Sequence, residues 1–161
     1  MPRELKAGDA LNVKQISPGN VAYPAVVIHG LRDARVVLAI GRPVTLLSAA
    51  GAALYAGCGW WRALIERASA EFPAVPIDDM LDCGDAPGLA LGALRIGQKR
   101  IVLDPSVPGF AAVAEIASSQ GGEVLTARPP SIDMAERGAA RRLHDWLQMR
   151  TAPGDSNRAL G

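Results

Sequence analysis

The chain has 161 residues, 49% of them hydrophobic, and sets 17 basic against 16 acidic side chains for a formal charge of +1. That length suits one domain with a sizeable buried core, and the composition excludes a wholly disordered chain. The near-neutral balance, with no basic stripe interleaved with aromatics, excludes a nucleic-acid footprint, and no apolar run is long enough to span a membrane.

The opening stretch, MPRELKAGDALNVKQ, has charges but no apolar core, so it does not read as a signal peptide. Residues 1–20 lack periodicity and read as a mobile arm, residues 21–149 as the α/β domain, and residues 150–161 as a disordered tail. Two cysteines, Cys58 and Cys83, in a chain without a secretion signal point to reduced thiols in a bacterial cytoplasm.

Within the domain one pattern recurs. An apolar helical stretch ends in Gly, a β-branched run follows, and a small-residue turn opens the next helix. It appears as ARVVLAIG-RPVTLLS-AAG, as LALGALRIG-QKRIVLD-PSVPG and as AAVAEIASSQGG-EVLTA-RPP. Parallel strands need crossover helices between them, so this alternation predicts an α/β fold. The expected architecture is a single three-layer α/β/α domain with a five-stranded, mainly parallel sheet, Rossmann-like or flavodoxin-like. The five strands are predicted at 25–29, 43–48, 77–83, 100–104 and 123–127, with Asp78 and Asp79 weakening the start of the third.

The helix signals are local. The first helix, 31–40, ends at Gly41, which takes the left-handed C-cap conformation without a Cβ penalty, and Gly97 and Gly121 close later helices in the same way. Residues 51–72 read best as one continuous helix, because Leu54, Cys58, Trp61, Ile65, Ala68 and Phe72 then share a stripe. The alternative starts the helix at Trp60, since Gly57 and Gly59 each cost about 1 kcal/mol in a helix interior. With Trp61 in the stripe, Trp60 points elsewhere and is expected to pack under a neighbouring helix, the alternative being an exposed anchor for a partner or an aromatic ligand. Asp85 before Ala86-Pro87 reads as an N-cap with an early proline. Asp133 and Glu136 have capping-box spacing ahead of a last helix, 134–149, with Ala140, Leu143 and Leu147 on one face.

In an open parallel sheet, ligands sit at the carboxyl ends of the strands. Five turns lie there: His29-Gly30, residues 48–51, residues 82–85, Asp104-Pro105-Ser106 and Arg128-Pro129-Pro130. The second turn, opening with Ser48 and holding Gly51, is made of small residues that let an anion approach the backbone, or that simply permit a tight turn. The third brings Asp82, Cys83 and Asp85 together. Asp82 is a candidate base, Cys83 a candidate nucleophile if His29 reaches it, and both have a structural alternative as strand end and buried apolar group. Asp104 is a further candidate base, or a turn-forming acid bonded to its own backbone. Arg128 is the candidate clamp for a carboxylate or phosphate, or a partner for Asp104. Two Cys and two His without ligand spacing point to no metal, and nothing points to a cofactor.

The stretches HGLRDARVVLAIGRPVTLLSAAGAALYAGCGWWRAL, DDMLDCGDAPGLALGALRIG and RIVLDPSVPGFAAVAEIA resemble small, uncharacterised α/β proteins of alphaproteobacteria, over residues 26–133. That resemblance implies a cytoplasmic bacterial protein and carries no activity, cofactor or site residue. The reading that results is a module binding a small anionic ligand. It is expected to self-associate as a homodimer, through the edge strand 25–29 or the Trp60 helix, with neither nucleic acid nor membrane as partner. An enzyme acting on an anionic metabolite, with Asp82 or Asp104 as base, is the alternative. A scaffold or regulatory protein that uses its tails is the third.

Overall fold

A computed structural model of the chain describes residues 21–148, so the predicted arm and tail lie outside the described residues. Six strands form one sheet in the order β5-β4-β3-β2-β1-β6, and every pairing is parallel. They are β1 (Ala25–Ile28), β2 (Val44–Ser48), β3 (Ile77–Asp82), β4 (Arg100–Val102), β5 (Glu123–Leu125) and β6 (Ser131–Asp133). The helices are α1 (Leu31–Leu38), α2 (Ala52–Tyr55), α3 (Cys58–Glu71), α4 (Pro87–Arg95), α5 (Phe110–Ser119) and α6 (Ala139–Gln148). None of them is long and apolar enough to cross a membrane.

The five predicted strands are all present, each slightly shorter than expected. The correction is a sixth, β6, which lies on the far side of β1. Its three residues, Ser-Ile-Asp, read in sequence as the approach to a helix. Asp133 therefore ends a strand instead of capping a helix. The last helix starts at Ala139, and its buried face is Ala139, Leu143 and Leu147, with Ala140 exposed.

Steady movement from β1 to β5 in one direction, through right-handed crossovers, puts the connecting helices on one face of a sheet. The packing agrees. Buried residues of all six helices join Val26, Ile28, Leu46, Leu81, Ile101, Val124 and Ile132 in one cluster. The alternate residues Val27, Leu47, Met80, Val102 and Leu125 form a second cluster with Val21, to which no described helix contributes. The expected third layer is thus not found among the described residues.

The second cluster lies on the face of the sheet that the connection from β5 to β6 crosses. In a flat sheet β5 and β6 would be about 24 Å apart, five strand spacings. Residues 126–130 join them with a reach of about 22 Å at full extension. On the way Arg128 reaches the ends of β2 and β3. Only a curved sheet, with Met80 and its neighbours on the hollow side, permits that connection.

Two further expectations are corrected. The continuous helix over 51–72 is broken at Gly57, whose φ of 87° lies in the left-handed region, so α2 ends and α3 starts at Cys58. Leu54 consequently leaves the core stripe and is exposed, while Trp61, Ile65 and Ala68 stay buried. Trp60 is also exposed, with only an edge of contact to Trp61 at 6.1 Å between ring centres. The second correction concerns α4, whose N-cap is Ala86, with no side-chain cap from Asp85.

The acidic start of β3 is satisfied by neighbours at the amino ends of the strands. Asp79 Oδ2 accepts from Trp61 Nε1 (2.9 Å) and Gln98 Nε2 (2.7 Å), and Asp78 pairs with Arg100 at 2.6 Å. Burial raises the Asp78 carboxyl above its usual range despite the Arg100 charge.

Candidate functional site

The carboxyl ends of β1, β2, β3 and β6 meet at one rim, and the connection from β5 to β6 crosses it. Arg128 sits midway along that connection. Its Nη1 donates to Asp82 Oδ2 at 2.5 Å and its Nη2 to the Ser48 carbonyl at 2.9 Å. The expected partner Asp104 is not the one used. Asp82 is nearly inaccessible, with a side chain 6% exposed against 29% for Arg128. A carboxylate at that depth needs a cation and hydrogen bonds to offset its lost hydration. Arg128 supplies the first, and the Gly84 N–H donates to Asp82 Oδ1 at 2.8 Å.

Ser48 ties β2 to β3. Its Oγ accepts from the Asp82 N–H (2.9 Å) and donates to its neighbour, the Ala49 carbonyl (3.1 Å). The turns after β2 and β3 touch through glycines. A Cβ on Gly84 would lie 2.9 Å from Leu54 Cδ1 and 3.7 Å from Gly51 Cα, and Gly84 has φ of +56°. Gly51, also at positive φ, opens α2.

His29 ends β1 and Asp133 ends β6. The His29 Nε2 lies 2.7 Å from Asp133 Oδ1, and Asp133 Oδ1 also accepts from the Ala135 N–H at 2.8 Å. The His29 backbone N–H donates to Asp33 Oδ2 at 2.9 Å, which fixes the residue at the start of α1. Burial pushes the Asp133 carboxyl up, but the Ala135 N–H, His29 and the Arg128 charge outweigh it and hold it below the usual range. Ile28 pairs with Ser48 and Val27 with Asp133, so the two pairs, Arg128 with Asp82 and His29 with Asp133, lie at the exits of neighbouring strands.

Of the residues expected at the site, His29, Ser48, Gly51, Asp82 and Arg128 gather here. The others stand apart or carry different roles. Cys83 is fully buried in the helix-side core, and burial pushes its thiol up to about 12. It is an inert apolar group, and His29 is paired elsewhere. Asp104 is exposed. Its carboxylate is held below the usual range by the Ser106 N–H (2.8 Å) and Ser106 Oγ (2.7 Å), the turn geometry that was its structural alternative. Asp85 is exposed on the turn before α4. Asp133 escapes sequence reasoning as a rim residue because its capping-box spacing to Glu136 is the stronger signal. Among the described residues, no group of three or more His, Cys, Asp or Glu is arranged to hold a metal.

No family model matches the chain. Over 88 residues, 52% of its length, it is 30% identical to proteins named fructose-bisphosphate aldolase from Xanthobacter flavus and from Pseudomonas aeruginosa. That stretch covers 25% of each of them, so the chain spans about a quarter of the length of these relatives.

Proposed function

We propose that the chain binds a small anionic metabolite of the phosphate-ester type at this rim, with Arg128 as the clamp. The observation that carries the reading is the placement of Arg128. Two contacts anchor its guanidinium over the strand ends, and it stays open to solvent. A guanidinium has five N–H donors in a rigid fork. Asp82 and the Ser48 carbonyl engage two of them, which leaves a pre-oriented cation with donors to spare. The small-residue turn at 48–51 lies directly beneath. The relatives' name, which refers to a doubly phosphorylated sugar, supports a phosphate ester as the anion.

At Asp82, Asp104 and Cys83, binding is favoured over catalysis by the state of each group. Asp82 is engaged by Arg128 and Gly84, Asp104 by Ser106, and the Cys83 thiol is buried. A general base must reach its proton with a free lone pair.

The test is a titration of the isotope-labelled chain with glycerol 3-phosphate, followed by amide NMR. Saturable shifts at Ser48, Gly51, Gly84 and Arg128 are expected, and they are lost in the double variant D82N/R128M, which removes both partners of the pair. Absence of saturable shifts, or shifts centred away from these residues, overturns the proposal.

A further inference from the structure

The rim has a second half that the Arg128 clamp does not use. We propose that His29 and Asp133 form a hydroxyl-recognising pair that selects polyhydroxylated phosphate esters over plain ones. The inference rests on the anion-site reading above and assigns two further residues to it.

Donors and acceptors at the pair are fixed by its charge state. Asp133 is held in its ionised form, and an ionised carboxylate only accepts hydrogen bonds. The close contact to His29 Nε2 therefore requires a proton on Nε2. In the neutral imidazole this leaves Nδ1 as an acceptor. No hydrogen bond reaches Nδ1 from the described residues, and none reaches Asp133 Oδ2. Both side chains are more than a third exposed. Their orientation is nevertheless held, by the Ala135 N–H on Asp133 and by Asp133 on the His29 ring. The rim thus offers a fork of N–H donors at Arg128, bonded to the end of β2, and two acceptors at the exits of the adjoining β1 and β6.

Charge points the same way. Asp133 adds an acceptor-only carboxylate to the rim, which favours hydroxyl donors over further anionic groups. A ligand with an anionic group for Arg128 and hydroxyl donors for His29 and Asp133 satisfies both halves. A site that hydrogen-bonds hydroxyls rejects the analogue that lacks them, because its acceptors are then left desolvated and unpaired.

The experiment compares glycerol 3-phosphate with propyl phosphate, which has the same chain without hydroxyls, by calorimetric or NMR titration of the full chain. The parent is expected to prefer glycerol 3-phosphate by about tenfold. H29A and D133N are each expected to abolish that preference, read as the ratio of the two affinities measured on the same variant. D82N/R128M is expected to weaken both esters together. Both substituted positions are partly exposed, and the amide oxygen in D133N still accepts from the Ala135 N–H, so folding is preserved and checked by amide dispersion. Equal binding of the two esters by the parent, or an intact preference in H29A and D133N, overturns this inference and leaves the anion site standing. Failure of either ester to bind overturns the anion site and this inference together.

Discussion

Removing Arg128 should cost far more stability than removing its partner's charge. In R128A the Asp82 carboxylate remains, 6% exposed, with the Gly84 N–H as its main donor. Breaking a buried pair from the cation side leaves an uncompensated charge, which costs about 3–5 kcal/mol. Arg128 is 29% exposed, so water reaches the vacated space, and the lower end of that range, about 3 kcal/mol, is expected. In D82N the guanidinium left behind still reaches solvent and the Ser48 carbonyl. The amide's oxygen can still accept from Gly84, so the loss is about 1–2 kcal/mol. D82N/R128A should then be less damaging than the sum of the singles, with a coupling of at least about 1 kcal/mol. Urea unfolding at neutral pH measures all three. Thermal melts should show R128A lower by roughly 6–12 °C, at about 2–4 °C per kcal/mol for a chain of this size. The pair is largely buried, so the R128A loss should persist in 0.5 M salt, where surface pairs are screened. An R128A loss below about 1 kcal/mol, or additive single variants, refutes the argument that Arg128 neutralises a buried carboxylate.

Cys83 should resist alkylation in the native chain while half-buried Cys58 reacts, as read by mass spectrometry with iodoacetamide. Its thiol titrates near 9.0 when unfolded and at about 12 when folded, so the unfolded chain loses that proton first. Stability from this group is complete below pH 9 and declines towards pH 12, by up to about 4 kcal/mol. Urea unfolding of C58S against C58S/C83A across that range checks the sign, with a flatter alkaline slope expected in the double variant. W61F should lose about 1–2 kcal/mol, because the ring stays buried but the Asp79 carboxylate loses the indole N–H. D104N should leave glycerol 3-phosphate binding unchanged in the NMR titration, since Asp104 serves its own turn. G84A should destabilise by more than about 1 kcal/mol in urea unfolding, because φ of +56° and the contact with Leu54 both penalise a Cβ.

The parallel α/β class was legible because period, propensity and punctuation agreed over β1 to β5. Gly41, Gly97 and Gly121 all take positive φ, where the helix-ending pattern placed them. The break at Gly57 was legible only as a cost of about 1 kcal/mol, and the stripe through Leu54 outvoted it. The stripe was misleading at that end, since Leu54 packs over Gly84 and faces solvent. β6 was illegible for a different reason. Three residues carry no period, and their strand character comes from pairing with Ala25, Val26 and Val27, a tertiary cause. The same holds for the site. Reading the strand exits gave His29, Ser48, Asp82 and Arg128, but which acid meets which base depends on curvature and strand order.

Those two properties have one source. Residues 126–130 carry no helix, so the chain crosses the hollow side of the sheet by the shortest route and lands next to β1. Arg128 precedes Pro129, which restricts it to an extended backbone, and the two prolines stiffen the run that follows. A connection this short draws the two edges of the sheet towards each other over the face that carries Met80, Leu47 and Val102, which no described helix covers. It also brings the exits of β2 and β3 within reach of a single guanidinium. The features that close the second core are therefore the ones that assemble the rim. A substitution that relaxes the crossing should loosen the packing around Met80 and the Arg128 site together, because the same five residues hold both.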